Sequence, residues 1–289
     1  MREDEINMKV FNARVFALFL AVSMCLLMLP AAYAEGPGSG NAELIELTGN
    51  GAKFSCSGVS AEGSIITISK AGNYVLRGTL DNGRIIVNTG LSQEKLYLTL
   101  DGVSITCLTD PAIYIAQAKK ARIYMTEGTE NVITSGTEEL LAVFDDSHSG
   151  AALYSEDDLD IRGPGKLMIN GYINNGITCK DDFDMEDGIL EIFSANNGIK
   201  GSESVEIKAG KLIITCGNDG LKATSSKAGK GFVAILGGTV SLSCGGDGIS
   251  AFTDVTVSGG DTEIISEKIP IKAGGEIYHT GGSLIRNGE

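Results

Sequence analysis

The phrase Asx-Asx-Gly-aliphatic begins at Asn174, Asn196 and Asn218, 22 residues apart each time, and "GDGI" restates it from Gly246 after 28 more. A fixed period of this length marks a stacked-repeat architecture. Aligned as units, "NNGITCKDDFDMEDGILEIFSA" and "NNGIKGSESVEIKAGKLIITCG" share three short apolar segments separated by turns. Apolar and polar residues alternate within each segment, which is the period of a strand with one buried face. Three short strands per 22 residues describe one rung of an all-β, single-stranded parallel β-helix. A rung cannot bury its apolar face alone. Stacking rungs about 4.8 Å apart pairs every strand with its copies above and below.

Equivalent residues then form inward ladders. Leu190, Leu212 and Val240 make one, Ile192, Ile214 and Leu242 a second, and Ser194, Cys216, Cys244 and Ser266 a third. Cys179 shares its slot with Gly201, Ala223 and Ala251, all small. The cysteines of these ladders therefore read as buried thiols acting as small apolar residues, with a Cys216–Cys244 disulfide as the alternative. No CxxC occurs, and five cysteines remain after residue 34, which suits neither a disulfide framework nor a zinc knuckle. Two histidines, His148 and His279, are too few and too scattered for a histidine metal site. At each corner, Gly176, Gly198, Gly220 and Gly248 are expected to take positive φ. Asn174, Asn175, Asn196 and Asn197 beside them read as a structural turn ladder.

The repeat extends outward in both directions, and extra lengths near 135–149 and 225–230 read as loops leaving the barrel. "KIPIKAGGEIYHTGGSLI" is a last rung with no capping helix after it, so the C-terminal end is expected to be short. Residues 1–34 have the basic start, apolar run and "AAYA" of a secretory signal peptide cleaved after Ala34. Met8 is an alternative start. Residues 35–62 read as a linker with a first strand or cap, and 63–289 as the β-helix domain. No later stretch is long and apolar enough to span a membrane. The net charge of −14 argues against nucleic acid, which needs clustered Lys and Arg. It suits cations and a secreted protein.

The alignment places Asp157 over Asp181 and Asp158 over Asp182, with Glu203 next in the first column. Carboxylates stacked at strand spacing repel one another. They either splay into solvent or share a cation. Calcium takes six to eight oxygen ligands in irregular geometry, so Ca2+ is the candidate metal. Asp219 and Asp247 form a second acidic column beside Lys200 and Lys222. That corner suits a cation, an acidic sugar, or its own ion pairs.

"AGNYVLRGTLDNGRIIV", "LTLDGVSIT", "SEDDLDIRGPGKLMINGYINNGI", "GIKGSESVEI" and "KGFVAILGGTVSLSCGGDGI" together resemble a family of secreted bacterial carbohydrate-binding β-helix proteins. The resemblance runs from about Ser64 to about Gly275. It implies a right-handed, pectate-lyase-like solenoid that binds calcium and plant cell-wall polysaccharide, both cellulose-like and acidic pectin-like. It makes Asp157, Asp158, Asp181 and Asp182 the first metal candidates and Lys200 and Lys222 the contacts to an acidic sugar. Asn196 and Asn197 depart from the family, where that corner is often acidic.

A lyase must neutralise a uronate carboxylate and remove the proton α to it. Lys200 or Lys222 would be the base, but nearby aspartates oppose its deprotonation. A binding protein needs only a groove and calcium bridges, and binding is the favoured reading. Tyr154, Tyr172 and Phe252 are the aromatic candidates for sugar contact, Tyr154 and Tyr172 foremost. A structural cell-surface rod is the third class.

Overall fold

The structure is a computed structural model that describes residues 41–90, 92, 94–139 and 150–288. The leader expected over residues 1–34 and His148 lie outside the described residues, as does most of the 135–149 loop. The described residues form an all-β parallel solenoid of about eight turns. Pairing between successive turns is parallel throughout, and the two antiparallel pairs both lie near its start. There Glu43–Gly49 pairs with Ala52–Phe54, and Val59–Glu62 with Ile65–Ile68.

From Ile113 onward each turn contributes one strand to each of three faces, whereas Leu96–Cys107 before it serves the second and third faces together. The first face runs through Ile113–Gln117, Ala151–Ser155, Asn175–Cys179, Ile199–Gly201, Leu221–Ala223 and Ile249–Ala251. The second runs through Ala121–Met125, Leu159–Arg162, Asp182–Met185, Ser204–Ile207 and Phe232–Ile235. The third runs through Glu130–Ser135, Lys166–Gly171, Ile189–Ser194, Lys211–Cys216, Thr239–Cys244 and Asp261–Ser266.

The register realises the ladders read from the repeat. Leu190 faces Leu212, then Val240; Ile192 faces Ile214, then Leu242; Ser194 leads to Cys216, Cys244 and Ser266. On the first face Ile113, Leu153, Ile177, Ile199, Leu221 and Ile249 stack with no exposure. Each such side chain stabilises the fold by about 1.5–3 kcal/mol relative to an exposed one. Cys179, Cys216 and Cys244 are buried free thiols. Cys179 occupies the slot of Gly201, Ala223 and Ala251 as the spacing implies.

The corner glycines are a correction. Gly176, Gly198, Gly220 and Gly248 do not have positive φ. They are needed for space. A methyl group at Gly198 would fall on Ile214 Cγ2 and 2.7 Å from the Gly220 carbonyl oxygen. At Gly220 it would meet the Gly248 carbonyl oxygen at 2.6 Å and Cys244 Sγ at 2.7 Å. The inward ladder of the third face presses against the corner, and no Cβ fits between them. Positive φ belongs instead to the turn that enters the third face, at Gly188, Gly210, Gly238, Gly260 and Gly282.

Candidate functional site

The bend from the first to the second face carries the acids singled out by the repeat. Ser155 pairs with Cys179 and Leu159 with Phe183, so Asp157 and Asp158 stack on Asp181 and Asp182. Asp182 pairs in turn with Ser204, and the Glu203 amide donates to the Asp181 carbonyl at 3.2 Å. The bend is held from beneath. Ser155 Oγ donates to the Asp157 carbonyl at 2.6 Å, and Cys179 Sγ lies 3.2 and 3.3 Å from the carbonyls of Asp157 and Asp182.

The five carboxylates have different surroundings. Asp157 Oδ2 accepts the Ala118 amide at 2.7 Å, which ties it to the preceding rung. Asp182 accepts Lys230 Nζ at 2.8 Å and Ser204 Oγ at 2.7 Å. Glu203 accepts Lys227 Nζ at 2.7 Å and forms an ion pair with Lys230 at 3.0 Å. Burial opposes ionisation of Asp182, but the bonds from Lys230 and Ser204 outweigh it and hold the carboxyl below its ordinary range. Lys227 and Lys230 do the same for Glu203. Asp158 and Asp181 go the other way. Burial, then the carboxylates of Asp182 and Asp160, push Asp158 up, although the Asp182 amide and Lys120 partly offset them. Burial, then Glu203 and the neighbouring aspartates, push Asp181 up. The lysines therefore neutralise one end of the column, and the charge strain stays at Asp158 and Asp181.

Lys227 and Lys230 come from the 225–230 loop, which the sequence places outside the barrel without indicating where it lands. The lysines nominated from the repeat sit elsewhere. Lys200 and Lys222 are register neighbours on the outer side of the first face. Lys222 Nζ lies 2.7 Å from Asp219 Oδ2, and Lys272 lies 3.3 Å from Asp247. Asp219 and Asp247 are 5% exposed and continue a ladder that starts at Asn175. The Asn197 amide donates to Asn175 Oδ1 at 3.0 Å, Asp219 to Asn197 Oδ1 at 3.3 Å, and Asp247 to Asp219 Oδ1 at 2.8 Å. Beside it, Asn196 Nδ2 donates to Asn174 Oδ1 at 2.9 Å and Asn218 Nδ2 to Asn196 Oδ1 at 3.0 Å. Two of the nominated acids thus double as hydrogen-bond acceptors that knit one rung to the next.

Among the described residues, the one set of three acidic groups with oxygens within 4.8 Å of one another is Asp160, Asp184 and Glu186, on the outer side of the second face. Sequence reasoning missed it. Lys120 lies 2.6 Å from Asp160, which also takes Arg122 at 3.1 Å and Arg162 at 2.9 Å. Lys208 bridges Asp184 at 3.2 Å and Glu186 at 3.1 Å. Four cations on three acids make an ion-pair network with no charge left for a metal. The rung spacing that paired Asp158 with Asp182 also pairs Asp160 with Asp184, and that was the available signal.

Of the aromatic candidates, Tyr154 and Tyr172 lie on different faces. Tyr154 contacts Tyr114 on the first face with ring centroids 5.6 Å apart. Tyr172 follows a third-face strand and contacts Phe193 at 5.6 Å. Phe252 is 53% exposed.

A family model described as carbohydrate-binding domain-containing protein matches residues 62–280. The chain belongs to the carbohydrate-binding domain-containing family. A family member from Acetivibrio thermocellus is 35% identical over 135 residues, 47% of this chain and 47% of its own length. The chain thus spans about half the length of that curated relative. The solved structure of a polysaccharide lyase-like protein from C. thermocellum, a gadolinium derivative, is 31% identical with a TM-score of 0.78, covering 85% of this chain and all of that one. In this carbohydrate-binding family member, the fold read from the repeat and the fold of the solved relative agree.

Proposed function

We propose that this carbohydrate-binding protein is exported by its N-terminal leader and holds plant cell-wall glycans without cleaving them. Calcium at the bend from the first to the second face bridges the protein to acidic, pectin-like chains. Neutral, cellulose-like chains are the second ligand class. One observation carries the calcium reading: Asp158 and Asp181, stacked on Asp182 and Asp157 respectively, have proton affinity raised by burial and neighbouring acids. A divalent cation relieves that repulsion, and carboxylate oxygen is a donor calcium prefers. Asp158, Asp181 and Asp182, whose oxygens do not all lie within 4.8 Å of one another, would have to close on the ion, with Asp157 and Glu203 at the margins. Bound calcium would supply positive charge to a uronate carboxylate. Lys230 already sits on Asp182, so calcium there must displace or join an ammonium. The solved relative is described as a gadolinium derivative, and gadolinium shares calcium's preference for hard oxygen donors. Asp219 and Asp247 are weaker candidates because their oxygens are engaged by backbone amides.

Binding is favoured over cleavage because a lyase needs a base beside the bound uronate. Lys222 is ion-paired to Asp219, and Arg162 is committed to Asp160 and Glu186. The test is retention on polygalacturonate gel with calcium. Retention that a chelator reverses, with no rise in unsaturated-uronate absorbance, supports the reading. Steady product formation lost in Lys200→Ala or Lys222→Ala would make the protein a lyase. A chelator-insensitive melting temperature at saturating calcium would remove the metal, because a ion bound at 100 times its Kd adds about 2.7 kcal/mol to the folded state.

A further inference from the structure

The outward positions of the first face form one column across the rungs. It reads Ile86, Tyr114, Tyr154, Thr178, Lys200 and Lys222. The column changes character half-way, from apolar and aromatic to cationic. At its aromatic end the surface is concave. A cavity of about 230 Å3 is lined by Arg84, Asp110, Pro111, Tyr114, Tyr154 and Glu156. That is below the roughly 300–1,000 Å3 of pockets that enclose a drug-sized ligand, so it admits a ring rather than a whole chain.

The walls carry two cations and two carboxylates, and so no net charge for an ion to seek. The two tyrosine rings stand edge to face, with an interplanar angle of 67°. Arg84 lies 5.8 Å from the Tyr114 centroid, and Lys180 lies 5.9 Å from that of Tyr154. A cationic ligand entering beside the rings meets both of these charges. An anionic ligand meets the carboxylates of Asp110 and Glu156, and the nearest guanidinium is already paired with Asp110 at 2.9 Å. A neutral ligand meets neither obstacle. The ring surface that the two cations leave uncovered accepts its C–H groups, while Asp110, Glu156, Arg84 and the tyrosine hydroxyls offer acceptors and donors at the rim. A pyranose with equatorial hydroxyls has both kinds of surface.

We infer that the Tyr114–Tyr154 cavity is a subsite for a neutral sugar unit, separate from the acidic bend. The inference rests on the polysaccharide-binding reading above and assigns one ligand class to one place. Bound there, a glycan aligned with the column continues over Thr178 toward Lys200.

The test uses the full chain, isothermal titration with a soluble β-1,4-gluco-oligosaccharide, and polygalacturonate retention with calcium. The wild type binds the gluco-oligosaccharide with or without chelator. Tyr154→Ala and Tyr114→Ala each lose at least tenfold in that affinity and keep calcium-dependent retention on polygalacturonate. Tyr154→Phe, which keeps the ring, stays within about threefold of wild type, and melting curves identify any variant that fails to fold. A well-folded Tyr154→Ala that binds the oligosaccharide like wild type overturns the subsite. So does equal loss of both ligands, since that means one shared site. Wild type that takes polygalacturonate but not the gluco-oligosaccharide overturns the subsite and leaves the proposed function standing. Wild type that takes neither overturns both.

Discussion

Two bends of this solenoid carry acidic residues at rung spacing, and they use them in opposite ways. Entering the first face, Asn175, Asn197, Asp219 and Asp247 are buried, and Oδ1 of each accepts an amide of the next rung. Leaving it, Asp158 and Asp181 stack on Asp182 and Asp157, and burial and then the neighbouring acids oppose their ionisation. The first ladder satisfies backbone donors that would otherwise be orphaned by burial. The second costs stability unless something positive arrives. Acids repeated from rung to rung are structural at one bend and candidate binding groups at the other. The difference is charge density: Asp157 and Asp158 also accept amides of neighbouring rungs, but at their bend carboxylates crowd one another with no asparagines in the column.

The largest effect is expected at the structural bend. Gly198→Ala places a methyl group against Ile214 and the Gly220 carbonyl. It should cost about 3 kcal/mol, measured by chemical denaturation, as overpacking against backbone does. Asn197→Ala removes the acceptor of the Asp219 amide and the donor to Asn175 Oδ1. A loss of about 2 kcal/mol is expected, since buried partners go unsatisfied. If either variant melts like wild type, the entering bend is not the rigid one and the contrast fails.

Asp158→Asn with Asp181→Asn should do the reverse. Both groups have folded-state pKa values above the ordinary one, so each favours the fold when protonated. That contribution is present at low pH and lost as pH rises through the folded pKa. The double variant, which never ionises there, should therefore melt above calcium-free wild type at pH 7, by a few tenths of a kcal/mol for such part-exposed groups. Its advantage should shrink on acidification and vanish below the ordinary aspartate range. Asp182 and Glu203 have depressed values, so their contribution exists above the ordinary carboxylate range and is lost as pH falls through the folded pKa. A double variant less stable than wild type at pH 7 would mean the leaving bend is structural too. The smallest change in stability, under about 1 kcal/mol, is expected of Lys230→Ala, because it breaks surface ion pairs. Its diagnostic readout is calcium affinity, which should rise once Asp182 and Glu203 lose the competing ammonium.

The ladders were legible because a repeated motif converts letters directly into neighbours. Leu190 over Leu212 needed only a count of 22, and Cys216 over Cys244 only the realignment on Asx-Gly-aliphatic after the longer step. The role of Gly198 was not legible, because Asx-Gly reads alike for a left-handed turn and for a tight approach of side chain to backbone. Asp160 was passed over because "LDIR" alternates as an ordinary half-exposed strand. Only the register with Arg122 and Asp184 shows its outward carboxylate covered by cations. Lys227 and Lys230 lie in a segment outside the period, and periodicity carries no information about where such a segment folds back. Tyr114 was missed because its rung is irregular in length, so its alignment with Tyr154 could not be counted.

The step from Asn218 to Gly246 is six residues longer than its neighbours, yet Leu221 still pairs with Ile249 and Leu212 with Val240. A bend in such a coil can therefore lengthen without shifting the frame on either side, as a thread can be looped between two stitches. The surplus 225–230 stretch is in that sense an accessory, added at one bend and resting on the acids of the previous two. Trimming it to the common length would leave the hydrophobic interior as it is and change only how the outer edge meets ions.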